Sequence, residues 1–282
     1  MWNGFAGVRR LIIFGDSYSA VQFTPRVPGN SAGRPTAQQP LGVEFPGYTF
    51  NEDGLPNWVG HLISKHCPEP RFNPNGEQGE EWIKSPLLVH DYAKGGDIVQ
   101  GIQRQFERLF LPDLSKRPDW APWTESQTLF ITWVGINDCA LGLDPRSTIK
   151  HLFSIQEKLF EIGARNFMFI DVPTVHRIPL QSDRQSRVQA LCENWNQVLR
   201  QETNEFHKKH KDATVLLFSA WKVFDTLLDD PGKLGFDPED VHRRGGSIWV
   251  DHLHPTSKVH SYMAQCIAVF LHNIPSNPGL SI

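Results

Sequence analysis

Four short segments of the chain carry residue types that perform acyl transfer in enzymes. They contain, in chain order, Ser17, Gly96, Asn137 and the pair Asp251 and His254. A serine hydroxyl is a weak nucleophile until a base such as histidine removes its proton. A carboxylate three residues before the histidine can orient the imidazole and stabilise its charged form. These residue types indicate nucleophilic catalysis by a serine.

Each segment alone is weak evidence for catalysis. A Gly-Asp-Ser turn is more often a plain cap, and the tight turn Gly95-Gly96-Asp97 only offers backbone N–H groups. Asn137 offers a side-chain amide at a predicted strand end. All four segments follow a predicted strand or precede a predicted helix, and this coincidence favours one common site.

The elements that must position these residues alternate along the chain. Five apolar runs have the continuous pattern of buried parallel strands: 10–15, 87–93, 128–134, 166–171 and 214–218. Amphipathic patterns predict helices at 58–66, 98–110, 148–162, 182–210 and 255–271. We expect Ser17 to lie near the N–H groups of a following helix and Pro255 to occupy a first helical turn.

Strand–helix alternation over the whole length predicts one α/β domain, residues 1–282, with a parallel sheet covered on both faces. In such folds the site lies beyond the carboxyl ends of the strands. Two Pro/Gly-rich excursions, 24–56 and 68–86, interrupt the rhythm. We expect them to be ordered and to wall the substrate pockets.

Composition excludes several classes of protein. The 282 residues are 39% hydrophobic and 21% charged, with a net charge of −3 and no long basic run. Nucleic-acid binding is therefore not expected, because neutralising phosphates needs clustered positive charge. No apolar run is long enough to span a membrane.

Four widely spaced cysteines without a CxxC motif favour free thiols over two disulfides. Because no signal peptide is recognised either, we expect a cytoplasmic protein. A secreted protein without its signal peptide would look the same.

The four segments resemble the sequence blocks of the GDSL esterases, also called SGNH hydrolases, in the family's order and over almost the whole chain. The chain is most similar to fungal carbohydrate acetylesterases, through Phe14-Gly-Asp-Ser-Tyr18, Pro46-Gly-Tyr48 with Pro56-Asn-Trp-Val59, and Tyr92-Ala-Lys-Gly-Gly96. The resemblance implies a flavodoxin-like three-layer αβα sandwich with about five parallel strands. It also implies that neither a cofactor nor a metal takes part.

The resemblance also implies a role for each residue. Ser17 would be the nucleophile, His254 the base and Asp251 its orienting carboxylate. The N–H groups of Ser17 and Gly96 and the amide of Asn137 would form the oxyanion hole. Gly95 is the alternative to Gly96, which we favour because it precedes an aspartate, as in the family's Gly-Asp version of this block.

Two positions depart from the family pattern. Tyr18 stands where leucine is usual, a change that the acetylesterase subgroup tolerates. Asp91 stands where asparagine is usual, so the sequence does not assign the hydrogen bonds that support the second block.

Several other residues have plainer interpretations. Ser31 lies in a literal Gly-x-Ser-x-Gly, but within a Pro-rich loop and not between a strand and a helix. His252 with Asp251 and His254 lacks a companion cluster for a metal. Asp16 and Asp138 are expected to fix their loops, and 207–210 and 242–244 to be solvated. Most tryptophans are expected to be buried and not to serve as sugar platforms: Trp58, Trp82, Trp120, Trp123, Trp133 and Trp249.

The sequence therefore predicts a monomeric serine esterase that removes short acyl groups, acetyl first, from a hydroxylated small molecule or oligosaccharide. The alternatives within the family are a lipase, a lysophospholipase and an acyltransferase. The absence of a long apolar lid segment disfavours long-chain lipids. A catalytically silent binding module is the alternative from another class.

Overall fold

A computed structural model of the chain describes residues 2–23, 33–179 and 185–276. A parallel sheet of five strands, in the order β2-β1-β3-β4-β5, lies at its centre. The strands are β1 (Arg10–Gly15), β2 (Leu88–Asp91), β3 (Thr128–Trp133), β4 (Asn166–Ile170) and β5 (Thr214–Phe218). Every residue of β3 and β4 is buried, which explains their continuous apolar sequences.

Among the described residues, eight α-helices surround the sheet. They are α1 (Trp58–His61), α2 (Glu80–Lys84), α3 (Val99–Arg104), α4 (Ile136–Ala140), α5 (Pro145–Glu161), α6 (Gln185–Lys209), α7 (Ala220–Asp229) and α8 (Ser257–His272). The helices α1 and α3 continue as π-helical turns, Leu62–His66 and Gln105–Phe110. Short 3₁₀ turns occur at Phe5–Gly7, Leu114–Lys116, Val175–Arg177, Pro231–Leu234 and Pro238–His242.

The helices form two layers. The helix α8 packs against α1 and α7, whereas α5 packs against α3 and α6. This separation is the one expected from the strand order, because right-handed crossovers place helices on opposite faces when the chain moves one way from β1 to β2 and the opposite way thereafter. The predicted three-layer α/β fold is confirmed.

Three expectations about helices need correction. Pro255 is not in a helical turn, because Thr256 is the N-cap of α8 and its side chain accepts the N–H of Val259. The helix α7 was not predicted, although Ser219 caps it and Ala220, Phe224, Leu227 and Leu228 form its buried face. The second excursion contains α2, whose Trp82 is buried. Of the first excursion, residues 24–32 lie outside the described residues.

The sheet order places the predicted site at one point. The connection after β1 leads to one side of the sheet, towards β2, and the connection after β3 leads to the other side, towards β4. The segments after these two strands therefore diverge and leave a crevice beyond their carboxyl ends. Ser17 follows β1 and Asn137 follows β3. Among the described helices, none is long and apolar enough to cross a membrane.

Candidate active site

Ser17 lies on a tight turn directly after β1. The N–H groups of Ser19 and Ala20 donate to the carbonyl of Asp16, and that of Tyr18 donates to its carboxylate. No helix follows before Phe23, so the expected helix next to Ser17 is wrong. The side chain of Asn57 binds this turn instead, because its Nδ2 donates to the carbonyls of Ser19 and Ala20 at 2.8 and 3.0 Å.

A chain of hydrogen bonds joins Ser17 to the segment before α8. Nε2 of His254 lies 3.0 Å from Oγ of Ser17, and Nδ1 lies 2.7 Å from Oδ2 of Asp251. The other oxygen of Asp251 accepts the N–H groups of Leu253 and His254. Partial burial acts to raise the pKa of Asp251, but these hydrogen bonds outweigh it and hold the pKa below its usual value. The carboxylate therefore stays ionised beside the imidazole.

Two aromatic side chains hold His254 in place. The hydroxyl of Tyr18 donates to the carbonyl of Leu253 at 2.8 Å, so tyrosine in place of leucine ties the serine turn to the histidine segment. The ring of Phe50 stacks on the imidazole, with centroids 5.3 Å apart and planes 28° apart. Sequence reasoning missed Phe50, because an isolated phenylalanine in a Pro/Gly-rich loop carries no local signal.

The loop that carries Phe50 is anchored on both sides. The side chains of Thr49 and Asn51 donate to the carbonyl of Leu55, and the carboxylate of Glu52 accepts the N–H of Ser257 at 2.6 Å. A carboxylate is stabilised at a helix N-terminus, where unpaired N–H groups point outward. The described part of the first excursion therefore forms one wall of the site.

The candidate oxyanion donors come from three different segments. Gly96 has a φ of +79°, and a Cβ on it would meet no atom within 4 Å, whereas a Cβ on Gly95 would collide with the ring of Phe50. Nδ2 of Asn137 donates to the carbonyl of Asp97 at 2.9 Å, which fixes the amide and leaves its second N–H free. Among the described residues, no acceptor bonds the N–H of Ser17 or Gly96.

Two buried carboxyl groups fix the neighbouring loops, as expected. Oδ1 of Asp16 accepts the N–H of Tyr18, and Oδ1 of Asp138 accepts the N–H of Val99. Burial, and then the carboxylates of Asp138 and Asp97, raises the pKa of Asp16 to about 7. Burial likewise raises the pKa of Asp138 to about 6.

Asp91 ends β2 and is fully buried. Its Oδ1 accepts the N–H of Ala93 at 2.9 Å, and burial raises the pKa of its carboxyl group well above the usual value. The hydrogen bond to Ala93 needs only an acceptor oxygen, which an aspartate supplies as an asparagine would.

The other interpretations have mixed outcomes. Trp58, Trp82, Trp123, Trp133 and Trp249 are buried as predicted, and Trp120 is half-buried. His210 is not solvated, because it contacts Glu157 at 2.9 Å and packs on the rings of Phe160 and Phe206.

Further sites can be placed or set aside. Ser31 lies outside the described residues. In the part of the chain that the structure describes, no three His, Cys, Asp or Glu side chains group as a metal site. All four cysteines are free thiols. A cavity of about 410 Å³ between α6 and α7 is lined by residues such as Glu193, Arg200 and Trp221 and includes none of the predicted site residues.

The sequence profile of one family, described as GDSL-like lipase/acylhydrolase, matches residues 11–267. The chain belongs to this family. The prediction of a carboxylic ester hydrolase of the GDSL group is thereby confirmed, and the alternatives from other classes are not favoured.

Several known proteins are similar to this chain. An acetylesterase of the fungus Thermothelomyces thermophilus is 28% identical over 273 residues, which cover 92% of this chain and 86% of the relative. The solved structure of Axe2, an acetylxylan esterase from Geobacillus stearothermophilus, is 13% identical with a TM-score of 0.57, covering 98% of each chain. LAE5, an α/β hydrolase from the metagenome of Lake Arreo in Spain, is 15% identical with a TM-score of 0.53, covering 94% of this chain and 96% of the other. The two structures show a shared fold.

Proposed function

We propose that Ser17, His254 and Asp251 form the catalytic triad of this GDSL esterase. The hydrogen-bonded chain from Asp251 through His254 to Ser17 carries the proposal. When Nδ1–H of His254 donates to the ionised Asp251, Nε2 is left with a lone pair for the serine proton.

The reaction proceeds in two halves. Nε2 of His254 removes the proton of Ser17 as Oγ attacks the ester carbonyl, and then returns that proton to the leaving alcohol. The N–H groups of Ser17 and Gly96 and the free N–H of Asn137 receive the oxyanion. Water then attacks the acyl-enzyme, with His254 again taking and returning the proton.

Replacing Ser17 or His254 by alanine tests the triad. We expect either variant to fold and to lose about 10⁴-fold or more in kcat on 4-nitrophenyl acetate, because the nucleophile or its base is absent. A fluorophosphonate probe should label the natural protein at Ser17 and fail to label Ser17→Ala. The exposed serine variant Ser154→Ala is the matched control. Full activity in Ser17→Ala would refute the proposal.

The substrate is proposed to be an acetyl ester of a carbohydrate. The 28% identical relative is an acetylesterase. Tyr48 is 59% exposed and packs edge-on against Phe50, which in turn lies on His254. An exposed aromatic face therefore lies one ring away from the group that protonates the leaving alcohol, and it can pack against the C–H face of a sugar ring.

A series of 4-nitrophenyl esters from acetate to octanoate, together with acetylated xylooligosaccharides, tests the substrate. We expect kcat/KM to be highest for acetate. Tyr48→Ala should lower kcat/KM on the oligosaccharide several-fold, by about 1 kcal/mol of stacking, and leave nitrophenyl acetate unchanged. A preference for octanoate would instead favour a lipase.

The protein is further proposed to act as a single-domain monomer in the cytoplasm. The four free thiols support a reducing compartment. Light scattering behind size-exclusion chromatography and cell fractionation test these two points, and a dimer or an extracellular protein would contradict them.

A further inference from the structure

Gln105 is a buried side chain that the proposed mechanism does not use. It is the first residue of the π-helical turn after α3 and is 2% exposed. Its Oε1 accepts the N–H of Gly15 at 3.1 Å, and its Nε2 donates both to the carbonyl of Gly15 and to Oδ2 of Asp97 at 2.8 Å. Both donors of the amide and one acceptor site are therefore occupied.

The two bonds to Gly15 complete the pairing of β1 at its carboxyl end. The strand β2 pairs with β1 only as far as Ile13, whereas β3 continues alongside to Gly15. Beyond Ile13, the N–H of Lys94 still donates to the carbonyl of Gly15 at 3.1 Å. The side-chain amide of Gln105 adds a second donor to that carbonyl and supplies the acceptor for the N–H of Gly15. Ser17 follows two residues later, so this pairing sets where the serine turn leaves the sheet.

The bond to Asp97 reaches the other two oxyanion donors. Asp97 directly follows Gly96, and its carbonyl accepts Nδ2 of Asn137 at 2.9 Å. Its carboxylate is also bound by Arg104, which lies next to Gln105 in the chain, at 3.1 Å. The amide of Gln105 is therefore connected to all three oxyanion donors. It binds Gly15, two residues before Ser17, and it binds Asp97, which follows Gly96 and accepts Nδ2 of Asn137.

We propose that Gln105 is a positioning residue that holds the three oxyanion donors at fixed positions relative to one another. The proposal rests on the proposed function, because it assigns Gln105 to the same site. Donors stabilise an oxyanion only when they are fixed at hydrogen-bond distance before it forms. A misplacement of about 1 Å can cost about 10²-fold in rate, so one buried amide that spans two loops has a large effect.

Gln105→Met tests this role, because methionine keeps the length and the apolar contacts but loses every hydrogen bond. We expect kcat on 4-nitrophenyl acetate to fall about 10- to 100-fold while KM changes by less than about threefold. The rate of labelling by a fluorophosphonate, whose oxygen occupies the oxyanion hole, should fall in parallel. All rates are expressed per folded molecule, from the circular dichroism melting curve.

Gln156→Met is the matched control. Gln156 is a fully buried glutamine of α5 whose amide has no hydrogen-bond partner among the described residues. Its replacement should leave kcat and the labelling rate within about twofold of the natural protein, because no contact to the site is lost. Gln105→Leu, which also loses every hydrogen bond, should resemble Gln105→Met and serves if the latter folds poorly.

A double-mutant cycle with Asn137→Ala separates positioning from a general loss of packing. If Gln105 acts through the donors, the double variant loses less than the product of the two single losses, because the removed donor can no longer be misplaced. The proposal is overturned if both Gln105 variants behave like Gln156→Met, or if the losses multiply. Activity in Ser17→Ala would instead refute the proposed function itself.

Discussion

The carboxyl group of Asp16 lies next to the nucleophile and has the most unusual environment of the site. It is buried near the carboxylates of Asp138 and Asp97, and these causes, burial first, raise its pKa to about 7. The folded protein therefore binds a proton at Asp16 that the unfolded chain, with a pKa near 3.8, has released above about pH 4. The stability contributed by this proton is present below pH 4 and is lost as the pH rises to 7.

Replacing Asp16 by asparagine should remove that pH dependence, because the amide is neutral at every pH and still accepts the N–H of Tyr18. The free energy of unfolding of Asp16→Asn, relative to the natural protein, should therefore rise between pH 4 and 7 by up to about 1.4 kcal/mol for each pH unit. Urea denaturation at pH 4, 5, 6, 7 and 8 measures it. Asp119→Asn, an exposed carboxylate, is the control, and equal slopes in both variants would show that Asp16 is ionised throughout.

Among the secondary-structure elements, α1 and the serine turn depend on one residue. Oδ1 of Asn57 caps α1 through the N–H groups of Val59 and Gly60, and Nδ2 binds the carbonyls of Ser19 and Ala20. Asn57, which directly follows the first excursion and caps α1, therefore also contacts the serine turn. A buried cap with additional bonds stabilises both elements, whereas an ordinary cap stabilises only its own helix.

Asn57→Ala should therefore cost more stability than the removal of an ordinary cap. We expect about 2–4 kcal/mol for Asn57→Ala, since two carbonyls lose their donor in addition to the cap. Asp144→Ala, which removes the exposed cap of α5, should cost about 1 kcal/mol. Chemical denaturation measures both, and equal losses would mean that the bonds to Ser19 and Ala20 contribute nothing.

At the scale of the whole molecule, Ser257 connects the start of α8 with residues that lie about 200 positions earlier in the chain. Its hydroxyl donates to the carbonyl of Pro56 at 2.6 Å and contacts Nε2 of His61 at 2.9 Å, and its N–H binds Glu52. Burial lowers the pKa of His61 to about 4, so the ring is neutral near pH 7 and Nε2–H is the donor. This contact docks the start of α8, and with it His254, on α1 and the first excursion.

Ser257→Ala should lower stability but not catalysis. Two buried polar groups, on His61 and Pro56, lose their partner, which we expect to cost about 2–4 kcal/mol in urea denaturation. kcat of the folded variant should change by less than about threefold, because the backbone N–H at 257 still binds Glu52. Ser261→Ala in the same helix is the control. A large fall in kcat without a fall in stability would contradict this assignment.

Much of the fold could be predicted because its signals are local. Continuous apolar runs located all five strands, with β1 and β5 matched end to end, since a strand buried on both faces needs no polar residues. Periodicity located α5 and all of α6, whereas the short helices α2 and α4 carried too few turns to show a period. The end of α8 was found, but its start was misplaced at Pro255. The single-domain organisation stays a prediction.

The sequence by itself determined the five strands and the residue types and chain order of the candidate site. Only the tertiary structure decided that Ser17 and His254, 237 residues apart, lie 3.0 Å from each other, that Phe50 covers the imidazole and that Gln105 joins two loops. Local patterns record burial and backbone hydrogen bonding, which depend on near neighbours in the chain. Contacts between distant segments depend on the strand order and on the paths of loops, which no local pattern records.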